Sequence, residues 1–196
     1  VQYLLESVKK SALPLVVSKK ELIDTFDMTH AILTDTKKYD IPREERAKLF
    51  NLGILSGLYG HVSAFRDDIG SVVLNDTTAN NHMDGNVLYI NTYKTSKSYG
   101  TSEHIIPDKL MGLINLSIIE FKRIYLIILD IDAPKQLDKL ITSLLNYALN
   151  KKVTINDIRR TWTTEALASS KNTIETANNL NHSIQTALLL YRRDAN

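Results

Sequence analysis

The chain contains no cysteine. That excludes a disulfide-stapled scaffold and any thiolate metal site. It also lacks an apolar run near the roughly 20 residues that a membrane-spanning helix needs. The longest, at 124–129, is six residues and reads as a strand or a buried turn of helix. No secretory signal opens the chain, and it begins at Val1 rather than Met, which reads as a fragment of a longer protein. Charge of one sign is scarce too. The net charge is +2, too small to argue a nucleic-acid partner alone. There is no internal repeat, no low-complexity tract, no G-x-S-x-G, no phosphate-binding P-loop and no H-E-x-x-H. His30, His61, His82, His104 and His182 show no metal-like spacing with carboxylates, so no metal and no cofactor is expected.

What remains is ordinary for a soluble globular chain: 196 residues, 43% hydrophobic and 23% charged, enough for one domain or slightly more. The basic excess gathers late, with seven Lys or Arg against four Asp or Glu in 151–196.

Along the chain, Val1, Leu4, Leu5 and Val8 have helical spacing, broken at Pro14. Ser18 and Glu21 form a capping box, predicting a helix through Leu22, Ile23 and Phe26, with Met28 to Leu33 as a further turn. Pro42 suits a first helical turn, and Leu49, Phe50, Ile54, Leu55 and Leu58 give a buried stripe. Residues 71–74, 87–93 and 103–106 read as strands, and 75–86, rich in Asn, Asp, Thr and Gly, as a loop. A hairpin loop at 94–100 carries Lys94 and Lys97. Helices follow over 108–122, from Pro134 to Leu149, and from Thr154 or Asn156, either of which can cap, through Trp162. Two more are expected, one from Ser170 and one ending at Tyr191. The fold class is α+β, mainly helical, with helices around a small three-stranded antiparallel sheet.

The chemistry-bearing residues gather at the end. The chain reads N-D-I-R-R-T at 156–161, then N-L-N-H-S at 179–183, then Tyr191 nine residues after His182. This resembles the catalytic end of the tyrosine recombinases (the phage-integrase family), where H-D-L-R-R-T is followed by L-G-H-S and a Tyr nine past that His. The resemblance places 41–196 on the family's catalytic domain. Residues 1–40 are then an N-terminal helical segment, either a linker or part of the same domain. It implies that Tyr191 is the nucleophile, Arg159 grips phosphate, His182 donates to it, and Lys94 protonates the leaving oxygen.

Two positions depart. Asn156 stands where the family has His. Ser56-Gly57-Leu58-Tyr59 stands where it has T-G-L-R, so Tyr59 replaces the first phosphate-gripping Arg. Two guanidinium forks suit the non-bridging oxygens of a phosphodiester, because each is planar, bidentate and always charged. Losing one preorganised charged donor costs about 3–4 kcal/mol at a transition state. The resemblance therefore implies double-stranded DNA as partner, with copies assembling on it, and Arg160, Lys97 and Arg66 as further DNA contacts. It implies no membrane association, and a location wherever that DNA is: prokaryotic cytoplasm, nucleus or virion. A non-catalytic architectural or packaging relative is the second reading, and a helical protein-interaction module the third. The residues also allow plainer roles: Tyr191 and Trp162 as packing aromatics, His182 as a cap, Arg159 and Arg160 paired with Asp157 or Glu165, and Lys94 as a solvated loop residue.

Overall fold

The computed structural model describes residues 15–35, 40–93, 96–127 and 137–169. Helix α1, Lys19–Thr34, opens on the expected capping box: the Ser18 hydroxyl accepts from the Glu21 amide, and the Ser18 amide donates to Glu21 Oε2 at 2.9 Å. It runs unbroken through Met28 to Leu33, the further turn expected. Leu22, Thr25, Phe26, Thr29 and Leu33, spaced three and four apart, form its buried face. Thr25 and Thr29 stay helical because their hydroxyls donate back to the carbonyls one turn earlier.

Helix α2, Arg43–Gly57, follows Pro42. Its small residues set how closely its neighbours come. A Cβ at Gly57 would lie 2.8 Å from Leu110 Cδ1 and 2.9 Å from the Phe26 ring. The helix then continues as a π-helical turn, Leu58–Val62, in which the Ser63 amide reaches five residues back to the Leu58 carbonyl at 3.1 Å.

After a 3-10 turn at Asp67–Ser71 come four strands: β1 Val73–Leu74, β2 Asn81–Asp84, β3 Val87–Ile90 and β4 Ser102–Ile105. They lie in that order, with β1 parallel to β2 and the other two pairings antiparallel. The expected three-stranded antiparallel sheet is thus corrected to a mixed four-stranded one. The extra strand, β2, lies inside the stretch read as loop. Its polar residues hid it, but Asp84 pairs with Val87 across the two-residue turn of Gly85 and Asn86, with Gly85 at φ 58°. Asn81, buried at the start of β2, holds the region together. Its amide nitrogen donates to Ser71 Oγ and the Thr92 carbonyl, and its oxygen accepts from the Asn91 and Thr92 amides. Tyr125 makes a single antiparallel bridge to Val73, and the rest of the apolar stretch, 128–131, lies outside the described residues.

Helix α3, Asp108–Phe121, ends on Lys122 in the left-handed conformation. Helix α4, Leu137–Leu149, and helix α5, Ile155–Ser169, complete the described chain. Of the two candidate caps, Thr154 takes the position before α5: its hydroxyl accepts from the Asp157 amide, and Asp157 accepts from the Thr154 amide. One apolar cluster joins these elements, running from Leu22 and Phe26 through Ile54 and Leu110 to Ile141 and Ile158. Each such side chain contributes about 1.5–3 kcal/mol on full burial. Among the described residues no helix is long and apolar enough to cross a membrane.

Candidate functional site

Helix α5 is fastened by three side-chain donors to three backbone carbonyls of distant segments. Arg159 Nη1 donates to the Ala64 carbonyl at 2.7 Å. Trp162 Nε1 donates to the Tyr59 carbonyl at 2.5 Å. The Thr161 hydroxyl donates to the Val17 carbonyl. Alternation of contacts around the helix thus ties the R-R-T-W run to the π-helical turn, to the loop after it, and to the approach of α1. A guanidinium held this way has its position set by main chain, which varies little with side-chain motion.

Arg159 is 7% exposed. It lines a cleft together with Ser63, Phe65, Arg66 and Asp68 and with Tyr93, Ser102 and His104. The cleft has about 20 Å³ open to water, room for roughly one water-sized group. Tyr93 closes the base of the connection from β3 to β4, its hydroxyl donating to the Gly100 carbonyl at 2.9 Å. Lys94 follows Tyr93 directly and lies outside the described residues, as do His182 and Tyr191. Lys97 is exposed on the single helical turn Ser96–Tyr99, within the stretch read as plain hairpin loop. Arg160 is half-buried on α5, and Asn156 is exposed on its first turn.

Tyr59 is wholly buried in the core, within the π-helical turn, and does not line the cleft. Arg66 does line it and is half-buried. The structure therefore brings Arg159 and Arg66 to one opening and keeps Tyr59 out of it.

His104 is the residue that sequence reading passed over. It sits on the inner face of β4, edge-on to the Phe65 ring with centroids 4.8 Å apart, and its Nε2 shares a 2.7 Å hydrogen bond with the Ser102 hydroxyl. Burial lowers its pKa to about 4, so it is neutral at pH 7. The alternation Ser102-Glu103-His104-Ile105 carried the signal, because it puts Ser102 and His104 on the same face. Among the described residues, no three His, Cys, Asp or Glu side chains gather as a metal site would require.

The helices, the small mixed sheet and the seat of α5 against the loop after α2 define a recombinase-like fold. A solved structure that shares it is that of XerA recombinase, with a TM-score of 0.59 and 14% identity, over 91% of this chain and 59% of that one. The chain thus spans less than two thirds of that protein's length, and at this identity the likeness is one of fold. No family model and no curated protein matches the sequence.

Proposed function

We propose that the chain binds duplex DNA through the surface around Arg159, as a recombinase-like domain with an impaired strand-cleavage site. The observation that carries this reading is the seat of Arg159. It comes from the N-D-I-R-R-T run, and it stands in a cleft lined also by Tyr93, the residue before Lys94 in the sequence.

In the reaction so assigned, the Tyr191 phenol gives up its proton to water as its oxygen attacks phosphorus, and the bond to the 5′ oxygen breaks. Lys94 gives that oxygen its proton. The product is a 3′-phosphotyrosine, which keeps the bond energy for rejoining. Arg159 and His182 stabilise the charge on the non-bridging oxygens. Tyr59, buried in the core, supplies no charge there, and the exposed Asn156 cannot accept a proton near neutral pH. Those two observations favour a second reading, in which the domain binds DNA without cutting it.

The test uses the full chain and a nicked duplex that traps a covalent intermediate. Duplex affinity should fall steeply with salt, because phosphates supply most of the contact energy. A protein–DNA adduct should form slowly and vanish in Tyr191→Phe. Binding without any adduct selects the non-cutting reading. Folded protein that binds no duplex even at low salt ends both in favour of a protein-interaction module.

A further inference from the structure

The place that the resemblance reserves for a guanidinium holds Tyr59, sealed in the core, while Arg66, seven residues later, lines the cleft beside Arg159. We propose that this cleft is an oxyanion site for a phosphate ester and that Arg66 supplies its second guanidinium.

The charges fit a monoanion. Among the described residues that line it, Arg66 and Arg159 bring two positive charges and Asp68 one negative, while His104 is uncharged, leaving a net of one positive charge. A phosphodiester carries one negative charge, so it balances the site. The size fits one oxygen rather than a whole phosphate. With about 20 Å³ open, the cleft admits roughly one water-sized group, so a single non-bridging oxygen enters and the rest stays at the mouth. Arg159, almost wholly buried, is placed for the entering oxygen. Arg66, partly exposed on the same cleft, is placed for an oxygen at the mouth. The Phe65 and Ile90 side chains in the wall lower the local dielectric, which strengthens charge-assisted hydrogen bonds. The backbone favours the arrangement as well. The 63–66 loop that carries Arg66 is the one whose Ala64 carbonyl holds Arg159, so the two guanidiniums are positioned by one short segment.

For the identity of the ester's carrier, this inference rests on the DNA reading above; for the anion chemistry it does not. The experiment titrates the full chain with inorganic phosphate, followed by NMR of arginine side-chain signals, and separately with duplex DNA. Arg66→Gln should weaken phosphate binding about tenfold, and Arg66→Lys by less, since a lysine keeps the charge and loses the fork. Lys20→Gln, an exposed change on α1, should leave it within about twofold. Circular dichroism checks that each variant is folded. A native protein that binds no phosphate, or an Arg66→Gln variant that binds it as tightly as native, overturns the proposal. Should Arg66→Gln fail to fold, Arg66→Lys decides, and affinity equal to native overturns it. Arg66-dependent phosphate binding with no duplex binding sinks the DNA reading alone. Salt-sensitive duplex binding that ignores Arg66, with phosphate affinity unchanged, sinks this inference alone.

Discussion

In the seam between α2 and α3, Arg46 is closed by Glu120 through two bonds of 2.7 Å each. In the cleft below α5, Arg159 is fixed by the Ala64 carbonyl and borders an opening. The first region places a second guanidinium, Arg123, near the same carboxylate. Arg123 donates from Nη1 to the Leu126 carbonyl at 3.0 Å, and burial lowers its pKa to about 10 while Glu120 pulls it up. One acid there faces two guanidiniums, the half-buried Arg46 and the buried Arg123. Arg46 is closed over by its carboxylate, while Arg123 is buried with its Nε and Nη2 lacking a hydrogen-bond partner. The cleft groups two arginines, one aspartate and a neutral histidine around open space. The contrast is between guanidiniums shut inside the fold and guanidiniums that line an opening, and helical periodicity alone does not distinguish them.

The largest expected effect comes from unbalancing the seam. Glu120→Ala leaves Arg46 and Arg123 close together without their carboxylate, and should cost about 3 kcal/mol of stability. Urea unfolding measures it. Phosphate affinity of the folded fraction should stay native, and a parallel loss of phosphate binding would show that the two regions are not separate.

Acid should act on the cleft instead. The His104 pKa is lowered to about 4 in the folded chain, against about 6.5 when unfolded. Its contribution is therefore fully present above the unfolded value and is lost as pH falls toward 4. The loss should be about 2 kcal/mol, after allowing for partial solvent access. His104→Gln should flatten that part of the stability–pH curve. If the curve keeps its slope, another group carries the titration. Arg66, Arg159 and Asp68 share the cleft with His104, and burial is what lowers its pKa.

Close packing on the seam side comes next. Gly57→Ala inserts a methyl 2.8 Å from Leu110 Cδ1, an overpacking that should cost about 1–2 kcal/mol in melting experiments. A neutral result would mean that Leu110 and Phe26 yield freely. The smallest effect belongs to the cap of α5. Thr154→Ala removes one side of its reciprocal pair with Asp157 and should cost about 1 kcal/mol. Because Arg159 lies on that helix's second turn, phosphate affinity should drop slightly as well, and a stability loss with unchanged affinity would show that the Ala64 bond alone fixes the guanidinium.

Much of the frame could be read from residue order. Ser18 and Glu21 marked the start of α1, Pro42 marked that of α2, and the Arg159 run marked α5. Local chemistry fixes these features, and local chemistry is what a sequence displays. Strand β2 escaped because Asn81, His82 and Asp84 have low strand propensity, and pairing with β3 outweighs it. The cleft escaped for a different reason. Arg66, His104 and Arg159 are far apart in the chain and meet only through the seat of α5. Lys94, His182 and Tyr191 remain assigned by resemblance alone, since they lie outside the described residues.

The π-helical turn at Leu58–Val62 has a further consequence. A turn closed over five residues holds one residue more than an ordinary α-helical closure. The turn is therefore a phase shifter. Deleting a single residue from it would restore regular winding, and the chain beyond would emerge rotated by about 100°. The Ala64 carbonyl would then no longer face Arg159, and Arg66 would swing away from its neighbour. The relation between the two arginines thus depends on the number of residues in this turn, as well as on the buried Leu58 and Tyr59 and on Gly60, where a Cβ would lie 2.9 Å from Ile23 Cγ1.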